Sequence, residues 1–216
     1  VTLIDMADSI VPNMLDKDMM NDITTLIPQN GIGLILNARV SRLEGKNYVE
    51  RIILSDNESI SFEDAPEVKI PTGKIIKGLV VFSVGVKPDT TLLKDSGIEI
   101  GKDGIIVNSR METNLKDVYA CGDCAQFKSG ITGKVMQGKL ATNAVPMAKV
   151  LGRYLAGEDR EYPGFYNGAA TKIYDYYVGG TGFTEKLARD NGYDVIAGYG
   201  KTTTRFSIMP GAKILR

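Results

Sequence analysis

Histidine and tryptophan are both absent from the 216 residues, and there are only two cysteines. Without imidazole the chain cannot run Ser-His-Asp or Cys-His catalysis, ligate a metal through His, or switch charge on a His near neutral pH. An excess of one charge is also missing, because 26 Lys+Arg balance 26 Asp+Glu. The electrostatic footprint of a nucleic-acid binder is therefore lacking, and no nucleic-acid partner is expected. Long apolar runs are missing too. The most apolar stretch, Leu79 to Val86, is far shorter than the ~20 residues of a membrane span, and no signal-peptide layout opens the chain, so no membrane association is expected. Two cysteines three apart in sequence cannot staple a small secreted domain, which makes a reducing cytoplasm the expected compartment.

What is present is the composition of an ordinary globular protein, 43% hydrophobic and 24% charged. Its 24 glycines exceed the usual share of about 7% and announce tight turns or close backbone approaches. Val1-Thr2-Leu3-Ile4-Asp5 reads as a buried strand with an acidic tip. Met19, Met20, Ile23, Leu26 and Ile27 then share one helical face between Asp16 and the stop at Gly31. Strands are expected at Gly33–Val40 and Tyr48–Leu54, a hairpin with a long loop over Ser55 to Lys77, and a core strand at Leu79–Val84. Further β segments are expected near Ile98–Ile100, Gly104–Asn108 and Asp117–Cys121. Gln137 to Ala156 has helical periodicity with Pro146 as a kink or break, and Glu158 to Tyr166 is the best linker by composition. After it come a strand at Ala170–Val178, a short helix at Thr184–Asp190 and a strand at Asp194–Tyr199. Alternating strands and helices argue for an α/β region with a largely parallel sheet, followed by the start of a separate α+β unit.

Two features carry chemistry. Asp5, at the tip of the first strand, sits where dinucleotide-binding βαβ units keep a carboxylate for the adenosine ribose hydroxyls. No Arg or Lys occurs among Met6, Ala7, Asp8 and Ser9, so NADH is expected over NADPH if such a unit is present. Taken alone, Asp5 also reads as a solvated strand cap, which is the commoner case. The glycine fingerprint that precedes such a carboxylate by about 20 residues is not in the sequence; Gly31-Ile32-Gly33 is only a fragment of it and reads as a helix stop. Cys121-Gly122-Asp123-Cys124 is a C-x-x-C. No second such motif and no His accompanies it, so no Cys/His zinc site is expected, and the loop-like residues after it weaken a thiol-redox reading.

The neighbours of those cysteines give a better account. Thr113 to Asp123 matches T-x-x-x-x-V-Y-A-x-G-D, and with this match the sequence resembles the flavoprotein reductases built on two dinucleotide-binding domains. The branch it resembles most is that of the NADH oxidases, NADH peroxidases and coenzyme A disulfide reductases. Gly85-Val86-Lys87-Pro88-Asp89-Thr90 is similar to the family's G-x-x-P-[ND]-T turn, Leu140-Ala141-Thr142-Asn143-Ala144 to the start of the helix after the flavin loop, and Thr181-Gly182-Phe183-Thr184-Glu185 to a turn of its C-terminal interface domain.

The resemblance implies a three-layer β/β/α, Rossmann-like FAD/NAD(P)-binding fold followed by the start of an α+β dimerisation domain. It implies residues 1–108 as part of an NAD domain, 109–160 as the returning segment of an FAD domain, and 167–216 as part of the dimerisation domain. Gly122 and Asp123 would meet the ribityl chain of FAD, and Leu140, Ala141 and Thr142 its isoalloxazine. Asp5, Gly85, Gly168 and Ala170 would line the NAD side. No catalytic acid, base or nucleophile and no metal ligand is expected.

Hydride would pass from NADH to flavin and on to a small-molecule acceptor, O₂, a peroxide or a disulfide, in a cytoplasmic homodimer joined through the C-terminal domain. Pro146-Met147-Ala148-Lys149 departs from the family's basic, glycine-rich stretch, and Arg205 to Gly211 lacks a paired Tyr before Pro-Gly. These departures put coenzyme A disulfide reduction behind NADH oxidation.

The sequence is expected to be a C-terminal part of such an enzyme, inactive by itself. The alternatives are a catalytically empty binding and assembly fragment, or a ferredoxin or rubredoxin reductase of the same fold. Cys121→Ser separates the flavin reading from a thiol mechanism: turnover stays near normal in the first and is abolished in the second.

Overall fold

The structure is a computed structural model that describes every residue except 57, 65–67, 70–74, 77 and 216. In chain order the elements are β1 (Thr2–Ile4), α1 (Lys17–Gln29), β2 (Gly33–Ile35), β3 (Val40–Glu44), β4 (Arg51–Leu54), β5 (Ser59–Ser61), β6 (Val68–Lys69), β7 (Ile75–Ile76), β8 (Ile100–Gly101), β9 (Gly104–Ile105), α2 (Ala141–Leu155), β10 (Ala169–Ile173), β11 (Tyr176–Gly180), α3 (Glu185–Asp190), β12 (Thr202–Thr203) and β13 (Ile214–Leu215). They divide into two compact units, Val1–Ser83 with Arg189–Arg216, and Val84–Ala188. No described helix is long and apolar enough to cross a membrane.

The first unit begins with a βαβ step, since β1 and β2 pair in parallel with Leu3 opposite Leu34 and α1 connects them. The connecting helix buries Met20, Ile23 and Ile27, spaced three and four residues apart on one face. It ends where Gly31 takes a left-handed φ of 75°, with the Ile32 amide donating to the Ile27 carbonyl. This is the glycine stop that the sequence announced. Beside it, β3, β4 and β5 form an antiparallel meander whose central strand buries Ile52, Ile53 and Leu54.

Gly33–Val40 does not form one strand. The chain leaves β2 at Ile35, Asn37 takes φ 56°, and the amides of Asn37 and Ala38 donate to the carbonyls of Ala7 and Asp5. Asparagine tolerates this left-handed turn, which wraps the end of β1 before β3 starts. Much of the expected loop over Ser55 to Lys77 lies outside the described residues.

Leu79–Val84 also departs from expectation. The run joins no described strand, and Leu79, Val81, Phe82 and Val84 are open to solvent, from 63% at Phe82 to 88% at Val84. A buried strand needs a hydrogen-bonded neighbour and a covering layer, and no described residue supplies either. The segment Asp194–Tyr199 likewise forms no strand.

The second unit is organised around Phe127, Met111 and Met147, each buried to within 1%, with Ile105, Val107, Ala120, Ala125 and Phe165. Phe127 and Phe165 meet edge to face, ring centres 6.0 Å apart, the arrangement that aromatic quadrupoles favour. Helix α2 contributes Met147 and packs Ala144 and Leu151 against this cluster. It runs unbroken through Pro146, which costs the one hydrogen bond an amide there would have made.

The β segments around it are shorter than expected: β8 and β9 are a two-residue hairpin, and among the described residues Tyr119 forms a single bridge, to Glu112. The run Ala170–Val178 is a hairpin of β10 and β11, turning at Tyr174 with φ 51°.

Residues 158–166, linker-like in composition, lie along this unit. The Tyr162 amide donates to Ser109, Phe165 donates to Lys128, and Gly130 donates to Phe165. Arg110 reaches Asp159 at 2.8 Å and Glu161 at 3.1 Å and lies over the Tyr154 ring. Tyr154 in turn donates to Glu112 at 2.8 Å.

Phe127→Ala would empty the centre of the second unit. Such a truncation costs about 3–5 kcal/mol, read as a lowered urea midpoint, and a loss under about 1 kcal/mol would contradict this account of the core.

Candidate functional site

Eight of the nine expected site residues, all except Asp5, fall in the second unit, and the local structure explains how several are held. The run from Glu112 to Cys121 turns at residues 114–117 and is shaped by Thr113, whose hydroxyl donates to the Val118 carbonyl at 2.8 Å and accepts from the Leu115 amide at 3.2 Å. Asn114 anchors the same bend, donating to the Gly97 carbonyl and accepting from the Glu99 amide, both at 2.8 Å. The spacing of T-x-x-x-x-V thus reflects a side chain that closes the turn ahead of the last strand-like residues.

The run ends in a single 3₁₀ turn, Gly122–Cys124. Gly122 has φ 77°, a conformation that glycine enters without a Cβ clash. Asp123 follows at the surface, and its carboxylate takes no hydrogen bond or ion pair among the described residues. With neighbouring Cys124 and Lys139 and the turn from Val86 to Asp89, it lines a cavity of about 140 Å³.

That second turn is stiffened by Asp89, which accepts from the Thr91 hydroxyl at 2.6 Å and the Thr91 amide at 3.0 Å. These bonds hold its carboxyl below the ordinary range, the hydroxyl contributing most. Gly85, at the head of the turn, has φ 91° and open space where a Cβ would be.

Helix α2 starts next to this cavity. Its N-cap is Leu140, extended and without a side-chain cap hydrogen bond, and the backbone N–H groups of Ala141 and Thr142 donate to no described atom. An uncapped first turn keeps its donors and the positive end of the helix dipole available to an acceptor. Thr142 instead uses its hydroxyl to hold the Gly168 carbonyl at 3.0 Å. Asn143, buried, donates to the Gly138 carbonyl at 2.8 Å, which fixes the approach to the helix. Gly168 is thus brought to the start of α2, and Ala170 lies just beyond it in β10, opposite Gly179.

Asp5 belongs to the first unit. It stands at the carboxyl end of β1, where its Oδ1 accepts from the Ala7 amide at 2.8 Å and its amide donates to Ile35. Lys17 lies nearby in the fold, paired with Asp8 at 3.3 Å.

The two cysteines are free thiols. Burial, with Cys124 beside it, pushes the Cys121 thiol up, opposite to the shift a thiolate nucleophile needs. Cys124 directs its sulfur at the Cys121 carbonyl, 3.3 Å away.

A residue that sequence reasoning passed over is Lys139. Its ammonium faces the Asp123 carbonyl at 2.7 Å. The signal was a cation immediately ahead of a helix start, where the dipole disfavours it. A larger cavity of about 360 Å³, lined by Asn108, Met111, Ser129, Met147 and Tyr162 among others, holds none of the expected residues.

Comparison with known proteins places the chain in a family. Residues 1–148 match the family described as pyridine nucleotide-disulphide oxidoreductase. The chain is 31% identical over 214 residues to an NADH oxidase of Methanocaldococcus jannaschii, and 33% identical over the same length to an NAD(P)H sulfur oxidoreductase (CoA-dependent) of Pyrococcus abyssi. Each alignment takes in 99% of this chain and 44% of the relative. An FAD-dependent pyridine nucleotide-disulphide oxidoreductase from Desulfovibrio vulgaris superposes with a TM-score of 0.75 at 29% identity, over 90% of this chain and 46% of that one. The chain thus spans a little under half the length of these relatives, and with a family match across two-thirds of its residues it belongs to the pyridine nucleotide-disulphide oxidoreductase family.

Proposed function

We propose that this chain serves an FAD-dependent NADH oxidoreductase, passing reducing equivalents from NADH through flavin to a small-molecule acceptor such as O₂, a peroxide or a disulfide. The observation that carries the reading is the Asp123 carboxylate, without a protein partner, in the same unit as the uncapped start of α2. A flavin supplies a hydride acceptor that releases its electrons onward, chemistry no side chain here offers.

The residues fit such a group. Asp123 would accept hydrogen bonds from the ribityl hydroxyls, and the positive φ of Gly122 keeps the backbone beside it free of a side chain. The Ala141 and Thr142 amides would donate to the pyrimidine end of the ring, with Leu140 covering its edge, and the helix dipole would favour negative charge there. Gly85, bare at its Cα, would admit the nicotinamide side, and Gly168 and Ala170 would line the same side.

Asp5 would accept the adenosine ribose hydroxyls. Its second carboxylate oxygen accepts nothing among the described residues, which suits that role. NADH is the expected reductant, since no Arg or Lys occurs among Met6, Ala7, Asp8 and Ser9 and Lys17 is paired with Asp8.

By the same reading, residues 1–108 serve the NAD domain, 109–160 the FAD domain and 167–216 a dimerisation domain in a cytoplasmic homodimer. Relatives named NADH oxidase and CoA-dependent sulfur oxidoreductase support this branch.

The test is the absorbance spectrum of the purified full-length protein, with bands near ~450 nm that NADH bleaches faster than NADPH. No such bands, and no FAD taken up on reconstitution, would sink the proposal. Asp5→Ala raises KM for NADH roughly tenfold with kcat little changed, the pattern of a lost uniform binding contact.

A further inference from the structure

The ammonium of Lys139 uses all of its donors on the backbone. It donates to the carbonyl oxygens of Asp123 at 2.7 Å, Asp103 at 2.9 Å and Ala125 at 3.3 Å, and it lies 5.4 Å from the centre of the Phe127 ring. Three segments converge on one nitrogen: the turn between β8 and β9, the Gly122–Cys124 turn with the residue after it, and the approach to α2. The side chain is half-buried, and no carboxylate pairs with it among the described residues. Its charge is therefore met by carbonyl dipoles and an aromatic face, and the Asp89 and Asp123 carboxylates line the same cavity without forming an ion pair with it.

The location makes this costly in isolation. Lys139 directly precedes the N-cap Leu140, so a full positive charge sits at the positive end of the α2 dipole. A purely structural tie between these turns could be made by a neutral donor. A cation does more, because it adds positive potential to a cavity whose other charged lining groups include the Asp89 and Asp123 carboxylates.

We propose that Lys139 is a positioning residue of the flavin site. It fixes the Asp123 turn against the start of α2 and adds positive potential where the reduced cofactor carries its negative charge. This rests on the flavin reading given above. Both parts follow from the geometry: the three carbonyls set the turn, and the charge left over acts through space on whatever the α2 amides hold.

The experiment uses the full-length protein stripped of FAD and titrated with FAD, followed by measurement of the midpoint potential of the bound flavin. Lys139→Met is expected to weaken FAD binding about tenfold, as for a lost charged hydrogen bond, and to lower the midpoint potential. Lys139→Arg is expected to keep the potential close to wild type while binding remains weakened, because a planar guanidinium cannot serve the same three carbonyls from one nitrogen. Lys134→Met, removing an exposed charge outside the site, is expected to change neither.

If Lys139→Met does not fold, Lys139→Gln gives the same two readings from a neutral polar side chain. Wild-type affinity and potential in either neutral variant overturns the proposal. A lower affinity with unchanged potential overturns its electrostatic half. Failure of the wild-type protein to take up FAD at all overturns the flavin reading itself, an outcome separate from the other two.

Discussion

Helix α2 is held by its middle and left open at its start, and the second unit is arranged around that fact. Met147 anchors it in the cluster of Phe127, Met111 and Phe165, so the helix axis is set by apolar packing, whose strength scales with buried area. The same cluster takes in Ala120 and Ala125, which bracket the turn carrying Gly122 and Asp123. One hydrophobic centre therefore fixes both the acidic turn and the helix start. The polar groups at the surface can then stay unsatisfied at modest cost, because rigidity comes from below.

The turns that carry Gly85, Gly122 and Asp123 were legible in the sequence because they are local. Thr113, Gly122 and Asp89 act on residues within a few positions of themselves or through a glycine's freedom at positive φ, and such chemistry is written directly in residue order, whereas Asn114 reaches back to Gly97 and Glu99. The glycine stop of α1 was legible for the same reason.

Long-range facts were not legible. Lys139 contacts carbonyls of Asp103, Asp123 and Ala125, and backbone oxygens are the same whatever the residue, so no side-chain pattern records the contact. Leu79–Val84 fails in another way. An apolar run states a demand for neighbours, and the described residues do not meet it. Asn37 and Tyr174 broke expected strands because a single left-handed residue reverses the chain without disturbing the apolar pattern on either side.

The missing histidines and the two cysteines take on a common sense in this setting. Cys121 is shifted away from thiolate character by burial, and its place in C-x-x-C follows from the run it occupies beside the Gly122 turn. On the proposed reading, electron chemistry would come from bound nucleotides, and side chains would supply mainly shape, dipoles and a few fixed charges. The roles assigned to Asp5, Asp123 and the α2 amides are of this kind.

Residues 158–166 have the prolines, glycines and charges of a flexible tether, yet Ser109, Lys128 and Gly130 hold their backbone while Arg110 grips Asp159 and Glu161. A protease hunting for a slack loop between the α2 helix and the β10–β11 hairpin would find this stretch already stitched down. The chain between α2 and the β10–β11 hairpin is thereby tied to Ser109, Lys128 and Arg110, and composition alone would have misjudged its freedom.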